Sequence, residues 1–397
     1  MSLNAERSYK MKLRDVENAF KYRRIPYPKR SVELIALLAI SCTFFLFMHT
    51  NKLNSRLKEM EVKLQPSEFS ALGLTGNHIS GHDAGKHDDI NTLHGTYQYL
   101  KSTGQLENLE PAHLNNTPKA ERDFIFYNRL EKTGSQSMTR LIKQLGDRLG
   151  FDTYRNIVRP SRSITESEED EKDLVEQLFE LGEHAVYVEH ANWVNFTQHD
   201  SPRPIYINMV RHPIQKVISA YYYQRHPLIF AQSLLRNPNK PMQTKKFFDT
   251  NFNDCVRKRV RPHCVFDAHN PFNGDWRRFS LHLCGNSEIC THFNSETTTQ
   301  IAKMNVEREY AVVGSWEDTN VTLAVLEAYI PRFFTDATKV YYSNTENFTI
   351  NNVSHDTHLD KDVEEYLKSS FSFEIELYLF IKQRLYKQYI AVHKNEF

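Results

Sequence analysis

Two predicted turns between a strand and a helix carry residue types that bind phosphate. The first joins predicted strand 124–130 to predicted helix 138–149 and contains one lysine, one glycine, hydroxyl groups and an amide, namely Lys132, Thr133, Gly134, Ser135, Gln136 and Ser137. Glycine allows a tight turn, a helix N-terminus presents N–H groups to an anion, and lysine adds positive charge. The alternative is an ordinary turn in which a serine caps the helix. Since Lys132 precedes the glycine, the order differs from a Walker A loop, which disfavours an ATPase or kinase.

The second turn follows predicted strand 205–210 and begins with Arg-His-Pro at 211–213. Proline suits the first position of a helix, and predicted helix 213–223 places Ser219 near the end of its second turn. An arginine such as Arg211 can hold a phosphate through two parallel hydrogen bonds. An arginine before a helix is common, so this turn alone is a weak signal. The two turns together are far more specific.

Apolar runs that alternate with helical stretches must position these turns. Further strands are predicted at 185–190, 310–314 and 339–342, a further helix at 320–334, and one or two amphipathic helices at 361–393. Such alternation predicts an α/β fold in which helices cover a parallel sheet.

The overall charge excludes one class of partner, and its distribution indicates a membrane anchor. The chain of 397 residues carries Lys+Arg 50 against Asp+Glu 49, a balance that excludes a globally basic nucleic-acid-binding protein.

Residues 1–30 nevertheless hold nine Lys or Arg against three acids and precede the apolar run Val32–Met48. This arrangement predicts a signal-anchor transmembrane helix at 31–49. A buried core helix or a cleaved signal peptide is the alternative.

The positive side of such an anchor stays cytoplasmic, which places the rest of the chain in the lumen. We therefore predict a cytoplasmic tail at 1–30, a polar, mobile lumenal stem at 50–120 and a folded domain at 121–397. Five sequons for N-glycosylation lie on the lumenal side, at Asn115, Asn195, Asn320, Asn347 and Asn352.

Four lumenal cysteines form a cluster, Cys255, Cys264, Cys284 and Cys290. An even number in an oxidising compartment predicts two disulfides, with three possible connectivities. Pairing between sequence neighbours is the simplest of the three. A zinc site is the competing interpretation, but the spacings fit no common zinc pattern.

The two turns resemble the phosphate-binding elements of sulfotransferases that use 3′-phosphoadenosine 5′-phosphosulfate as donor. Over about 121–390, the segments FYNRLEKTGSQSM, VYVEHANWVNF, PIYINMVRHPIQKVISAYYY and EYAVVGSWED are similar to the uronyl and heparan sulfate 2-O-sulfotransferase family. A short basic N-terminus, an anchor and a stem resemble most the insect Pipe members. The resemblance implies a P-loop-like parallel sheet flanked by helices. It also implies a single-pass type II Golgi enzyme that sulfates a glycan hydroxyl, with the 2-hydroxyl of a uronic acid in a glycosaminoglycan as the expected acceptor.

The resemblance also implies a role for each matching residue. Lys132 would stabilise the leaving phosphate, and the turn 133–137 would hold the phosphosulfate. Arg211 and Ser219 would bind the 3′-phosphate, and Tyr341 would contact the nucleotide. No metal is required, because the leaving group is already activated and cationic side chains neutralise its charge.

A proton acceptor for the glycan hydroxyl completes the expected catalytic pair with Lys132. Histidine suits this task near neutral pH. His190 follows a predicted strand where the heparan sulfate enzymes carry a His-x-His pair, whereas Val188 occupies the first position here. We therefore predict His190 as the base and His212 as the second candidate. The alternative is a histidine that orients substrate or satisfies a core hydrogen bond.

A basic loop between the first two cysteines is the predicted acceptor site, through Arg257, Lys258, Arg259 and Arg261. The alternative is a solvated charged loop. The expected partners are an anionic glycan or a glycoprotein, and the family resemblance implies a homo-oligomer. Two other functions remain open: sulfation of glycans on glycoproteins, and a non-catalytic protein that binds a glycan or nucleotide.

Overall fold

The computed structural model describes residues 90–155, 167–261, 263–266, 277–343 and 358–396. The predicted tail, the predicted anchor at 31–49 and the first part of the predicted stem lie outside these residues. Within the described ranges, no helix combines the length and the apolar composition that a membrane span requires.

A five-stranded parallel sheet forms the centre of the fold, in the order β2-β3-β1-β4-β5. Its strands are Phe124–Asn128 (β1), Asp152–Arg155 (β2), Ala185–Glu189 (β3), Ile205–Val210 (β4) and Tyr310–Ser315 (β5). Every residue of β1, β3, β4 and β5 is buried. Continuous burial is typical of a parallel sheet that helices cover on both faces, which confirms the predicted α/β architecture.

The helices alternate with the strands along the chain. They are Leu93–Ser102 (α1), Pro111–Leu114 (α2), Ser135–Leu149 (α3), Glu168–Phe179 (α4), Pro213–Arg225 (α5), Pro227–Arg236 (α6), Lys245–Asp249 (α7), Phe252–Arg257 (α8), Ser280–Cys284 (α9), Glu296–Arg308 (α10), Thr319–Tyr329 (α11), Pro331–Phe334 (α12), Ala337–Ser343 (α13), Lys361–Ser370 (α14) and Ser372–His393 (α15). Short 3₁₀ turns lie at Thr117–Lys119, Phe196–His199 and Glu288–Thr291.

The prediction of a strand at 339–342 is wrong, because this segment belongs to helix α13. Its Val and Tyr residues favour a strand locally. In the fold, however, Ala337, Val340 and Tyr341 pack together on one core cluster. These positions follow the helical spacing of three and four residues, so tertiary packing decides the conformation.

The helix predicted at 320–334 is interrupted. Helix α11 ends at Tyr329, and Pro331 begins the short helix α12.

The predicted stem also differs from the structure near its C-terminal end. Within 90–120, Tyr97 and Leu100 of α1 pack against Ile390 of α15. This part of the chain is therefore folded onto the domain, because α1 buries an apolar face there.

Side chains of β1 divide the core between the two faces of the sheet. Ile125 and Tyr127 belong to one hydrophobic cluster, and Phe124 and Phe126 belong to the other. A third cluster surrounds α5, where Tyr221 packs with residues of α8 and of the C-terminal helices. Because α5 has a core separate from both sheet faces, it extends beyond the sheet from the end of β4.

Both disulfides join sequence neighbours, Cys255 to Cys264 and Cys284 to Cys290. This result confirms the simplest of the three predicted connectivities and excludes a zinc site that uses these thiols. The first bridge belongs to the third cluster, and the second belongs to one of the sheet clusters. Each bridge therefore fixes a loop that packs on a hydrophobic cluster.

Candidate active site

The two turns that the sequence predicts to bind phosphate lie at adjacent strand ends. After β1 the chain first adds β2 and β3 on one side, and later adds β4 and β5 on the other. This change of direction creates a switch point between β1 and β4. In open parallel sheets, ligands bind in the crevice outside the carboxyl ends of the strands at such a point.

The first turn has an unusual backbone. Lys132 has a φ of 63° and Gly134 a φ of 77°, so the turn contains two left-handed residues. Helix α3 then begins at Ser135 without a side-chain cap. The carbonyl of Gly134 accepts the hydrogen bond of the Met138 N–H at 3.1 Å. Ser135 and the two residues after it therefore form a helix N-terminus, whose N–H groups suit an anion.

Gly134 is required for a second reason, which is its close approach to Trp316. A Cβ atom at Gly134 would lie 1.9 Å from Cε3 of the indole. Trp316 follows β5, and its backbone N–H donates to the carbonyl of Val210 at 2.9 Å. The end of β5 therefore packs over the first turn and fixes its shape.

The side chain of Lys132 connects the two turns. Its Nζ lies 3.9 Å from the centre of the Tyr223 ring, near the end of α5. Burial, together with the charge of Arg211, lowers the pKa of Lys132 to about 8, and the charge of Glu131 partly opposes this effect. Lys132 and Arg211, which come from separate turns, are therefore close enough to interact electrostatically.

Arg211 and its neighbour His212 lie at the end of β4. Burial lowers the pKa of Arg211, and Glu317 partly offsets this effect. Glu317 also accepts the backbone N–H of His212 at 2.9 Å and so links the ends of β4 and β5. Two half-buried cations that repel one another favour anionic ligands at this edge, because such ligands offset their repulsion and lost hydration.

The remaining predicted nucleotide contacts lie on neighbouring elements. Ser219 is half-buried on α5. Tyr341 is half-buried on α13 and contacts the same core cluster as Trp316. Their predicted contacts with the nucleotide stay predictions.

His190 follows β3, the strand beside β1. Its Nδ1 lies 3.0 Å from the carbonyl oxygen of Arg129, and its backbone N–H donates to Oε1 of Glu189 at 2.7 Å. A carbonyl only accepts hydrogen bonds, so Nδ1 carries the proton and Nε2 of the neutral ring is the basic atom. Arg129 also donates its N–H to the carbonyl of Glu189 at 2.8 Å. His190 is therefore held at the strand end next to the first turn.

Val188 has a different environment from His190. Its side chain is buried and packs in the sheet core. The first position of the related His-x-His pair is thus occupied here by a core residue. His212, the second candidate base, packs edge-on against Tyr378, and burial lowers its pKa.

A buried polar network lies beneath the strand ends, and sequence reasoning missed it. Oδ1 of Asn128 accepts hydrogen bonds from Asn208 at 2.9 Å and from the Tyr310 hydroxyl at 3.0 Å. Asn128 in turn donates to the carbonyl of His282 at 3.0 Å. These bonds join β1, β4 and β5 to the second disulfide region, and they fix the register of the strand ends. A polar residue inside an otherwise apolar strand is the signal that would have found them.

The sequence also missed Tyr223, Trp316 and Glu317 as parts of the site. Each lies within a motif that the sequence singled out, but each acts on a residue from another element. Only the fold shows which residue that is.

The basic loop after α8 is largely engaged within the chain. Arg257 pairs with Asp360 at 2.5 Å and with Asp362 at 2.7 Å. Lys258 pairs with Asp254 at 3.2 Å, while Arg259 lies 5.5 Å from the centre of the Tyr366 ring. Arg261 is exposed. The predicted role of this loop in acceptor binding stays a prediction, and Arg257 already has two acidic partners.

Three predicted sequons fall among the described residues. Asn320 is exposed on α11, Asn195 is half-buried, and Asn115 follows α2 and accepts the backbone N–H of Thr117 at 2.9 Å. Asn347 and Asn352 lie outside the described residues. Glycosylation at all five positions stays a prediction.

Comparison with known proteins agrees with this geometry. The sulfotransferase family matches residues 117–380. A Drosophila melanogaster protein described as the uronyl 2-sulfotransferase homolog pip is 46% identical, in an alignment that covers 99% of this chain and 95% of that protein. Human uronyl 2-sulfotransferase is 23% identical over 73% of this chain and 68% of its own length. Heparan sulfate 2-O-sulfotransferase 1 of Xenopus laevis is 28% identical over 56% of this chain and 59% of its own length. With both of the turns predicted to bind phosphate inside the matched region, the chain belongs to the sulfotransferase family.

Proposed function

We propose that this protein transfers sulfate from 3′-phosphoadenosine 5′-phosphosulfate to the 2-hydroxyl of a uronic acid in a glycosaminoglycan. The observation that carries the proposal is the convergence of Lys132 and Arg211 at the switch point, with His190 at the next strand end. The acceptor follows from the relatives, which are named as uronyl and heparan sulfate 2-O-sulfotransferases.

The residues present fit a donor with two phosphate groups. The left-handed turn and the N-terminus of α3 would hold the 5′-phosphosulfate, since backbone N–H groups at the start of this helix suit an anion. Arg211 and Ser219 would hold the 3′-phosphate. A cation at each end explains how one chain distinguishes this donor from a nucleotide with a single phosphate cluster.

The chain's own groups account for each proton and charge in the transfer. The acceptor oxygen forms a bond to sulfur while the bond from sulfur to the bridging phosphate oxygen breaks. The hydroxyl proton passes to Nε2 of His190, whose Nδ1–H stays bonded to the carbonyl of Arg129. The leaving phosphate gains negative charge, which the ammonium of Lys132 stabilises.

One observation favours a second acceptor class. Val188 replaces a histidine of the related heparan sulfate enzymes and is buried in the core. A site with one histidine fits an altered acceptor, such as a glycan carried on a glycoprotein. Both acceptor classes use the same donor site and the same base.

The proposal includes a lumenal domain on a Golgi membrane, with a single anchor at 31–49. The two disulfides support an oxidising compartment, and the basic residues before the apolar run support a type II orientation. Protection of a C-terminal tag from added protease in sealed Golgi vesicles tests this arrangement. Digestion of the tag in intact vesicles would contradict it.

The acceptor is tested with the full chain, labelled donor and a panel of desulfated heparin, dermatan, chondroitin and a glycoprotein extract. Disaccharide analysis of the labelled product then identifies the sulfated position. We expect label on the 2-hydroxyl of a uronic acid. Label found only on glycoprotein glycans would contradict the glycosaminoglycan acceptor and support a glycoprotein acceptor. Donor binding without transfer to any acceptor would contradict the proposal that the protein is an enzyme.

A further inference from the structure

Arg225, the last residue of α5, is a buried cation with aromatic rings on both sides. Its guanidinium lies 3.6 Å from the centre of the Tyr221 ring and 4.3 Å from that of Phe247. Only 5% of the residue is exposed. One N–H donates to the carbonyl of Tyr221 at 3.3 Å, while Nε has no hydrogen-bond partner among the described residues.

The surroundings of Arg225 hold no compensating acid within the part of the chain that the structure describes. Burial lowers its pKa, and the groups that raise it are the phenols of Tyr221 and Tyr222 rather than a carboxylate. A guanidinium withdrawn from water without a counter-charge is costly, since a single backbone hydrogen bond replaces only part of its hydration. Stacking between two rings recovers part of this loss but leaves the edge of the guanidinium available for hydrogen bonds.

Two further nitrogen groups face the same place. His263 packs edge-on against Phe247, and Cys264 in the first disulfide fixes its position. Burial, together with the charges of Arg225 and Lys240, lowers the pKa of His263 to about 4. Lys240 is exposed and lies 5.2 Å from the centre of the Phe230 ring. The three groups form a patch with aromatic walls in which Arg225 and Lys240 carry the positive charge, here called the Arg225 patch.

The Arg225 patch and Tyr223 share the last turn of α5, although side chains two positions apart on a helix point in different directions. Tyr223, whose ring contacts the ammonium of Lys132, precedes Arg225 by two residues. By contrast, Arg257 in the basic loop already has two acidic partners. Of these two arginines, the buried one near the donor lysine lacks an acid, whereas the exposed one is neutralised.

We propose that the Arg225 patch binds an anionic group of the acceptor glycan, a carboxylate or a sulfate, beside the sugar that receives the new sulfate. Arg225 would form the charge-assisted bond, and Lys240 would contribute long-range attraction. This inference rests on the proposed function, because it assigns a subsite for that acceptor.

Kinetics of the full chain test the inference with three substitutions, Arg225→Gln, Lys240→Ala and Arg122→Gln. Arg122 is the matched control, since it also lies over two rings, 4.9 Å from Phe124 and 5.5 Å from Phe179. It precedes β1 and is therefore at the opposite edge of the sheet. The acceptors are N-acetylated desulfated heparin, which keeps its carboxylates, and carboxyl-reduced heparin, which keeps its sulfates.

We expect Arg225→Gln to raise the acceptor KM about tenfold, the scale of one lost charge-assisted hydrogen bond, and to leave the donor KM unchanged. Arg122→Gln should leave the acceptor KM unchanged. If the raised KM occurs only with the carboxylate-bearing acceptor, the bound group is a uronate; if it occurs only with the sulfated one, the bound group is a sulfate. An unchanged acceptor KM in Arg225→Gln, or an equal rise in Arg122→Gln, would overturn the inference.

Two further measurements keep the outcome decisive. Should Arg225→Gln fail to fold in a thermal melt, the exposed Lys240→Ala decides: a raised acceptor KM supports the patch, and an unchanged KM overturns it. Direct binding of both heparin derivatives to Lys132→Ala, with and without Arg225→Gln, does not depend on turnover. Loss of binding only with Arg225→Gln would support the anion subsite even if no acceptor were ever sulfated, and unchanged binding would overturn it.

Discussion

Replacement of Gly134 by alanine separates the need for a left-handed residue from the need for space beside Trp316. Gly134 and Gly150 flank the same helix and have nearly equal φ values, 77° and 80°. At Gly150 no atom lies within 4 Å of a new Cβ, whereas at Gly134 the indole Cε3 lies 1.9 Å away. Gly150→Ala is therefore a control that has the backbone strain without the collision.

The expected magnitudes follow from these two contributions. A left-handed conformation costs an L-residue about 1–2 kcal/mol, so both variants should lose that much free energy of unfolding. In Gly134→Ala the indole must also shift by about 1.6 Å to reach van der Waals contact. Overpacking of this kind adds about 1–3 kcal/mol. A misplacement of about 1 Å at a reacting site costs on the order of a hundredfold in rate.

Denaturant unfolding and sulfate-transfer kinetics measure the two effects separately. We expect a small loss of stability and unchanged transfer for Gly150→Ala. For Gly134→Ala we expect a larger loss of stability, a weaker affinity for 3′,5′-adenosine bisphosphate and transfer reduced about a hundredfold. Adding Trp316→Ala should restore part of the affinity by removing the colliding ring. Equal behaviour of the two glycine variants would refute the argument that Trp316 shapes the donor turn.

Other consequences of the structure can be measured on the same protein. Because burial holds the pKa of Lys132 at about 8, kcat/KM for the donor should fall as pH rises through about 8. The fall in kcat should come at higher pH, since bound phosphate favours the ammonium form; a profile that rises through pH 8 would contradict this. His190→Ala should lower kcat about 10²- to 10⁴-fold and keep the affinity for the donor product, whereas a parallel loss of that affinity would indicate a structural role. Replacing Cys255 and Cys264 by alanine should lower the free energy of unfolding by about 2–3 kcal/mol, which denaturant titration measures, because the bridge closes a loop with a sequence separation of 9. No loss of stability would contradict that account.

The buried strands of the sheet were predictable from their apolar runs. Strands β1, β3, β4 and β5 each read as continuous hydrophobic segments, as expected of strands covered on both faces. Strand β2 was missed because it is a short edge strand, and its sequence DTYR is mostly exposed. An edge strand with little burial leaves no hydrophobic pattern to detect.

Local propensity failed where packing over long sequence distances decides the structure. The segment KVYY favours a strand locally, yet it is helical because one face packs on α3 and α11. The segment 90–102 is polar enough to be taken for a stem, yet Tyr97 and Leu100 find a partner in Ile390. In both cases the partner lies elsewhere in the sequence.

In the candidate site, too, some residues were predictable from the sequence and others were not. Lys132, Arg211 and His190 follow strand ends, and parallel strands align such ends along one edge. Tyr223 and Trp316 could not be assigned this way, because each contacts a residue from a different element. A sequence reports where a strand ends, but not which side chain from another element packs on that end.

Transfer of labelled sulfate by the full chain and by Lys132→Ala tests the central claim most directly. The donor is radiolabelled 3′-phosphoadenosine 5′-phosphosulfate, the acceptor is desulfated heparin, and thermal melts verify that both proteins fold. The account predicts transfer by the wild type and a loss of transfer in the variant, because Lys132 stabilises the charge on the leaving phosphate. Equal transfer by the two folded proteins would contradict the account.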